Sequence, residues 1–400
     1  MDFLWWFLTV LAVVAVLANG ASLRQGFFLR RGVRVGLRMT FGAFHPRAAV
    51  LLPVRGIDPG FDENVRALLS QDYPRYRLLV IADQEDDPGA DRVREIVKTH
   101  PRVPVEFLLS DPRGLGGKAN ALRTGLGRLS PDDEAVVFVD ADARPASDWL
   151  RQLVQPLADV TVGASTGFRW YVPSRPTFWP LVRSEWNAVS ANVLFDPRRN
   201  YTWGGSSAIR VEHLPRLRLE QRWRDVLSDD LIVTEAVRDA GLRITYAPAA
   251  LVATLEDADR ATCLEWCLRQ MMMATLYLPI VRRYAAGAFA VFNGAVLLGL
   301  LSVFLAPLLS WWYLVPAGLF LITIPATIAK ASLRRNALLS ASPHVACLWS
   351  AAAGPAAIAS LAVPWIMIWG LAKTRHPIVV RWRGRAYDVR DPRHVRLMEP

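Results

Sequence analysis

Residues 135–142 read Ala-Val-Val-Phe-Val-Asp-Ala-Asp. The five apolar residues predict a buried β-strand, and two aspartates follow at its carboxyl end. Ligands of open α/β sheets bind beyond the carboxyl ends of the strands. An aspartate pair there suits a divalent cation that takes its other oxygen ligands from a substrate's phosphates. An aspartate in this place can also contact the ribose of a dinucleotide, so the pair alone leaves two interpretations open.

Strand and helix patterns alternate around this stretch, between about residues 42 and 262. Strands are predicted at 48–54, 76–82, 105–109 and 135–139, with helical patterns after them near 62–70, 90–99, 118–129 and 149–157. This alternation predicts an α/β domain whose sheet is mostly parallel and covered on both faces. The strand ends nominate ligand contacts, namely Pro53, Arg55, Asp83, Asp140 and Asp142.

The composition combines apolar segments with a polar domain. The 400 residues have a mean hydropathy of +0.20 and are 52% hydrophobic, yet 21% are charged. Residues 1–22 predict a retained transmembrane anchor, because the basic residues from Arg24 to Arg38 follow the apolar run, the opposite of a signal peptide. The positive flank predicts that residues 42–262 form a cytoplasmic domain. We expect an integral membrane protein of the bacterial plasma membrane.

Apolar character returns in residues 285–372, which predict two to three spans. A hairpin is expected from 285–309 and 311–328, whereas 345–371 is interrupted by Gly354-Pro355 and by Pro364. Residues 373–400 form a basic tail, which the positive-inside rule favours on the cytoplasmic side. Residues 262–283 predict an amphipathic helix lying at the bilayer interface.

The positive charge indicates a membrane rather than nucleic acid as the partner. The formal net charge is +11, but the arginines cluster beside the apolar segments and form no basic stripe with interleaved aromatic residues. Anionic lipid headgroups are therefore the expected counter-charge. The three cysteines show no paired metal spacing.

Residues 114–119, Gly-Leu-Gly-Gly-Lys-Ala, form a glycine-rich loop that opens a helix. A P-loop is excluded, because Pro112 replaces its first glycine and Ala119 its Ser or Thr. A dinucleotide fingerprint fits the glycine spacing, and Asp140 ends the next strand. A membrane-anchored NAD(P)-dependent oxidoreductase therefore stays an alternative. In either case the loop and Lys118 predict a phosphate or nucleotide contact.

Two features later in the chain add to the candidate ligand contacts. Gly205 lies in a loop of small residues, where the backbone can approach a ligand closely. Asp229 and Asp230 open a predicted helix, a place where acidic residues usually serve the helix dipole. The order of these features along the chain is the one that a nucleotide-sugar transferase needs. It is an acidic strand end, a Gly-Lys loop, an aspartate pair, a Gly-Ser loop and a late acidic pair.

The motifs at residues 52–59 (Leu-Pro-Val-Arg-Gly-Ile-Asp-Pro), 72–74 (Asp-Tyr-Pro) and 86–88 (Asp-Asp-Pro) resemble those of a known family. From about residue 48 to 279 the chain is similar to the family 2 type glycosyltransferases, and most similar to the ceramide glucosyltransferase group. The resemblance implies a GT-A fold that faces the cytoplasm. It implies that Asp83 contacts the base, Lys118 the nucleotide, and Asp140 and Asp142 a metal (Mg²⁺ or Mn²⁺) with the diphosphate, while Asp230 is the catalytic base.

One motif departs from the family pattern. Relatives carry Gln or Arg, two further residues and then Arg-Trp, in contact with the diphosphate and acceptor, whereas this chain has Glu265 before Trp266. A carboxylate cannot donate to a diphosphate oxygen, so Arg269 or Arg260 is expected to supply the contact. Trp266 equally fits an amphipathic helix on the bilayer.

These features together predict a membrane-bound inverting glycosyltransferase. The donor is a nucleotide sugar, UDP-linked by resemblance. The acceptor is a hydroxyl group of ceramide, diacylglycerol or another membrane lipid, since anchors on both sides of the catalytic domain favour a substrate within the bilayer. A processive polysaccharide synthase is a further alternative, although the altered motif and few spans speak against it.

Overall fold

The computed structural model describes residues 2–42, 44–111, 115, 117–349, 352–376, 378–382 and 385–398. Its main element is a sheet of seven strands: β1 (Ala48–Val54), β2 (Tyr76–Ala82), β3 (Val105–Leu109), β4 (Ala135–Val139), β5 (Val162–Val172), β6 (Ser206–Arg210) and β7 (Arg243–Leu255). The strand order is β3-β2-β1-β4-β6-β5-β7, and β6 alone runs antiparallel to both of its neighbours. The predicted mostly parallel sheet is confirmed.

The helices with residues described are α1 (Phe3–Gly36), α2 (Phe61–Leu69), α3 (Pro88–Val97), α4 (Lys118–Leu126), α5 (Trp149–Val154), α6 (Phe178–Ala188), α7 (Leu214–Leu217), α8 (Leu219–Arg222), α9 (Asp229–Asp239), α10 (Arg260–Tyr277), α11 (Pro279–Leu305), α12 (Leu314–Leu321), α13 (Thr323–Leu339), α14 (Pro343–Trp349), α15 (Ala353–Ala359) and α16 (Val363–Lys373). The four helices predicted to follow the first four strands are α2, α3, α4 and α5.

Helices cover the two faces of the sheet, as alternate strand side chains require. Along β1, Val50 and Leu52 pack with α2, α3 and α5, whereas Ala49 and Leu51 pack with α4 and α9. All five residues of β4 are buried, which explains why its sequence is a continuous apolar run.

Three segments of the described chain are long and apolar enough to cross a membrane: Phe3–Gly36, Pro279–Leu305 and Trp311–Leu339. Exposed apolar side chains cover their outer faces, including Phe7, Leu17 and Leu300. The first helix extends beyond the predicted anchor to Gly36. Its second half docks on the protein, where Gly32 approaches the ring of Phe195 too closely for any side chain.

Two predicted boundaries in the C-terminal half differ in the structure. The expected helix at 262–283 is two helices, because Pro279 lacks an N–H group and begins α11. Residues 345–371 form parts of three short helices, α14 to α16, and they pack against α6, β5 and α10 rather than standing as a separate apolar helix. Pro364 lies in the first turn of α16, where its missing N–H costs no helical hydrogen bond.

The basic tail folds against the catalytic domain. Strands β8 (Val379–Trp382), β9 (Arg385–Asp388) and β10 (Arg396–Met398) make an antiparallel sheet, which we call the C-terminal sheet. The N–H of Val395 donates to the carbonyl of Asp225 at 2.8 Å, and the hydroxyl of Tyr277 donates to the carbonyl of Pro392 at 2.8 Å. The tail therefore contacts the catalytic domain directly.

Candidate functional site

A cleft of about 390 Å³ opens at the carboxyl ends of β1, β2 and β4. Its walls bring together residues predicted from four separate motifs: Pro53 and Arg55, Asp83, Lys118, and Asp140 with Asp142. Helix α10 forms the opposite wall through Thr262, Glu265, Trp266, Arg269 and Gln270. The parallel order of the strands explains the convergence, because their carboxyl ends share one edge of the sheet.

Lys118 links the aspartate pair to the late acidic pair. Its ammonium group lies 2.7 Å from Asp140 Oδ1 and 3.0 Å from Asp229 Oδ2, and it donates to the carbonyl of Gly204 at 3.0 Å. Burial lowers the pKa of Lys118, but the two carboxylates outweigh burial and raise that pKa above its usual value. Lys118 is thus a fixed positive charge at the centre of the site.

Asp142 is paired with an arginine from strand β5. Arg169 Nη1 donates to Asp142 Oδ2 at 2.8 Å, while Asp142 Oδ1 is buried and has no hydrogen-bond partner among the described residues. Burial raises the pKa of Asp142 to about 6; the Arg169 charge opposes this rise and the Asp140 charge adds to it.

This carboxylate pair fits a divalent cation. Asp142 offers a buried oxygen without a partner, and Asp140 ends the same strand two residues earlier. No group of three metal-ligating side chains occurs in the chain as described, so further ligands would come from a substrate. Magnesium commonly binds in this way, through one or two carboxylates and the phosphates of a substrate.

Two aspartates near β2 have distinct places. Asp83 lines the cleft and accepts a hydrogen bond from Ser110 Oγ at 2.7 Å. Asp87 instead caps helix α3, where Oδ1 accepts from the N–H of Gly89 at 2.8 Å, and Oδ2 accepts from the N–H of Gly56 at 3.0 Å. Of these two aspartates, Asp83 lines the cleft and Asp87 does not.

Asp229 and Asp230 serve different partners in the first turn of α9. Asp229 pairs with Lys118. Burial raises the pKa of Asp229 to about 6; the charges of Asp230 and Asp140 add to this rise, and the charge of Lys118 opposes it. Asp230 Oδ1 accepts from Ser228 Oγ and from the N–H of Leu231, and Oδ2 accepts from the N–H of Gly204 at 3.3 Å. Neither aspartate is among the residues described as lining the cleft.

Glycines set the backbone on both sides of Lys118. Gly117 has φ +84°, a conformation that L side chains rarely adopt, and it is the N-cap of α4. A Cβ on Gly205 would lie 2.2 Å from the ring of Trp203 and 2.5 Å from Asp140 Oδ2. The predicted close approach at Gly205 is therefore to the protein's own aspartate. Gly114 and Gly116, which carried the dinucleotide interpretation, lie outside the described residues.

Trp266 belongs to an aromatic cluster at the wall of the cleft. Its ring meets Tyr171 edge-on at 5.4 Å and Trp186 at 5.1 Å, and it is 7% exposed. Arg269 lines the same wall, one turn further along α10. Trp266 thus packs within the protein and also borders the site.

Several residues at or beside the cleft were not anticipated from the sequence, among them three arginines and a tyrosine. Arg169 lies over the rings of Tyr171 and Trp203, and the buried Arg183 lies 4.3 Å from the centre of the Tyr171 ring. An arginine inside the otherwise buried strand β5 was the available signal for Arg169. Arg385 pairs with Asp83, and Tyr387 lines the cleft, although both come from the tail. No local pattern marks these two.

Comparison with known proteins gives a match along almost the whole chain. The family model described as glycosyl transferase family 21 matches residues 6–395. Ceramide glucosyltransferase of Komagataella phaffii is 28% identical over 81 residues, 19% of this chain and 16% of that protein. Beta-monoglucosyldiacylglycerol synthase of Trichormus variabilis is 26% identical over 167 residues, 41% of this chain and 34% of that protein. The matched regions thus span well under two thirds of these relatives.

Among solved structures, the mannosyltransferase of Pyrobaculum calidifontis in complex with GDP-Man and Mn²⁺ is similar, with a TM-score of 0.48 and 23% identity over 91% of this chain and 99% of that one. The family match, together with the observed sheet, confirms the predicted GT-A glycosyltransferase. The oxidoreductase alternative finds no support.

Proposed function

The chain belongs to glycosyl transferase family 21, and from this premise we propose that it transfers a sugar from a nucleotide-sugar donor to a hydroxyl group of a membrane lipid. One observation carries the proposal: α10 lines the cleft and passes at Pro279 directly into α11, a helix apolar enough to span a membrane. An acceptor hydroxyl can therefore reach the site from the bilayer surface. The names of the two curated relatives, both lipid glycosyltransferases, support this acceptor class.

We assign the donor to the strand ends. The diphosphate end of the cleft comprises Lys118, Asp140, Asp142 and Arg169, and the nucleoside end comprises Asp83 with the loop before α4 and the residues of the tail that face it. Asp140 and Asp142 would hold Mg²⁺ or Mn²⁺, which when bound neutralises charge on the departing nucleoside diphosphate. Lys118 adds a positive charge at the same place, and UDP is the nucleotide that the resemblance favours.

Asp230 is our candidate for the catalytic base. It accepts the proton of the lipid hydroxyl while that oxygen forms a bond to the anomeric carbon, and the bond from this carbon to the diphosphate breaks on the opposite face. In the part of the chain described, Asp229 is paired with Lys118, whereas no cation pairs with Asp230. To accept this proton, Asp230 would have to give up its 3.3 Å contact with the N–H of Gly204.

The test is a transfer assay with purified protein in detergent, a panel of nucleotide sugars and a total lipid extract, in Mn²⁺, Mg²⁺ or EDTA. We expect a lipid-linked sugar in the presence of metal and none in EDTA. Equal product in EDTA would exclude the metal role of the aspartate pair. A long water-soluble polymer would favour the processive synthase instead, and the absence of sugar transfer to any lipid would overturn the acceptor class.

The variant Asp230→Asn tests the base. Loss of general base catalysis typically lowers kcat about 10²–10⁴-fold, with little change in the KM for the donor. Asp239→Asn is the matched control, because Asp239 ends the same helix, is exposed and pairs with Arg222. Near-wild-type transfer by Asp230→Asn would remove the assignment.

A further inference from the structure

The C-terminal sheet packs on the catalytic domain beside the cleft. Val380, Tyr387, Val389 and Val395 are buried against Leu227, in the turn before α9. Arg393 adds an ion pair to Glu235 of α9 at 2.8 Å. These contacts hold the C-terminal sheet against the helix that carries Asp229 and Asp230.

Strand β9 reaches the nucleoside end of the cleft. Arg385 Nη1 lies 2.9 Å from Asp83 Oδ2, and the two side chains are 24% and 11% exposed. Tyr387, two residues along the strand, is buried and lines the cleft. Tyr387 of the tail thus lines the cleft, and Arg385 is paired with Asp83, which also lines it.

The Arg385 charge changes what Asp83 can do for a ligand. An uncompensated carboxylate close to the diphosphate position would repel an anionic nucleotide. Arg385 cancels that charge and, together with Ser110 Oγ, holds both oxygens of Asp83 in one orientation. A carboxylate has about four acceptor positions, so Asp83 keeps capacity for a nucleoside donor group.

We propose that the C-terminal sheet is part of the donor site, with Arg385 as a positioning residue that acts on the nucleotide through Asp83. The proposal rests on the proposed function, because it requires a nucleotide in this cleft. It assigns a binding role to a segment that follows the last apolar helix and lies about 300 residues after Asp83.

The experiment titrates the full-length protein in detergent with UDP and with GDP, in the presence of MgCl₂, by calorimetry. We expect Arg385→Ala to weaken binding of the preferred nucleotide about tenfold, as loss of a charged hydrogen bond does. Its KM for the nucleotide sugar should rise in parallel, while kcat at saturating donor stays unchanged. Arg385→Lys keeps the charge and should recover most of the affinity. Arg390→Ala is the matched control, since Arg390 pairs with Asp388 and its side chain is 73% exposed.

A double-mutant cycle identifies the route of the effect. If Arg385 acts through Asp83, Asp83→Asn and Arg385→Ala combined should cost little more than the larger single loss. Additive losses would overturn action through Asp83. Unchanged or tighter binding by Arg385→Ala would overturn the role of the C-terminal sheet while leaving the proposed function intact. If the wild-type protein bound no nucleoside diphosphate, both proposals would fail.

Discussion

At both the diphosphate end and the nucleoside end of the cleft, aspartates are paired with cationic side chains. The cations at the two ends come from different parts of the chain. At the diphosphate end, Asp140 and Asp142 receive their cations from Lys118 and Arg169, both within the sheet domain. At the nucleoside end, Asp83 receives its cation from Arg385 of the C-terminal sheet. At both ends of the cleft, carboxylates of low solvent exposure lie beside a positive charge. The sheet domain therefore supplies both the carboxylates and the cations of the diphosphate end. The nucleoside end obtains its cation only when the tail docks.

The largest expected effect comes from removing the cation of the diphosphate end. Lys118→Met leaves the carboxylates of Asp140 and Asp229 without their cation, and breaking a buried pair in this way costs about 3–5 kcal/mol of the free energy of unfolding. The pKa of Asp229 is already raised, to about 6. A carboxyl group whose pKa is higher in the folded than in the unfolded state favours folding at low pH and loses this contribution as the pH rises.

The loss in Lys118→Met should therefore be largest at about pH 7.5 and smaller at about pH 5. Thermal melting in detergent at the two pH values measures it. Lys98→Met is the control, because Lys98 is exposed at the end of α3. An equal loss at both pH values would contradict the role of the unpaired carboxylates.

The next effect concerns catalysis alone. Asp142→Asn removes a candidate metal ligand, and a loss of several kcal/mol of charge stabilisation corresponds to a fall in kcat of about 10²–10³-fold. Asp132→Asn provides the comparison, since Asp132 precedes β4 at the opposite end of the strand and is 74% exposed. Single-turnover transfer with labelled donor measures both variants. A small effect at Asp142 would indicate that the nucleoside end contributes more to the transfer rate than the diphosphate end does.

A smaller effect is expected from filling the space behind Asp140. The added methyl group of Gly205→Ala would overlap the Trp203 ring and the Asp140 carboxylate, and overpacking of this kind costs about 1–3 kcal/mol. Gly294→Ala, in α11, has no atom within 4 Å of the added carbon and should be tolerated. Melting temperature and transfer rate report on both. A tolerated Gly205→Ala would show that the diphosphate end adapts easily.

The smallest effect should arise from the arginine expected to replace the missing family residue. Arg269→Ala should raise the KM for the donor about tenfold, the value of one charged hydrogen bond. Arg260→Ala is the alternative, since Arg260 begins the same helix and lies over Trp179. Steady-state kinetics with varied donor separates the two. An effect at Arg260 only would move the diphosphate contact to the start of α10.

The sequence predicted the first four strands to the residue and the helices after them to within a few positions. Apolar runs and helical periodicity are local properties, and they survive in the fold because each element buries the face that its pattern provides. The same logic located Asp83, Lys118, Asp140 and Asp142, since residues after parallel strands must meet at one edge. The break at Pro279 was readable but was missed, because the amphipathic pattern continued across it.

By itself the sequence determined the sheet, the edge of the sheet where the cleft opens, the apolar segments and the acidic residues at that edge. Only the tertiary structure decided which cations neutralise these acids. Arg169 reaches Asp142 across the sheet, and Arg385 reaches Asp83 from the tail. The tail carries many arginines, and nothing in their spacing distinguishes Arg385. Its role depends on where the C-terminal sheet packs, and that is set by buried contacts between segments far apart in the chain, whereas a strand's pattern is set by its neighbours in sequence.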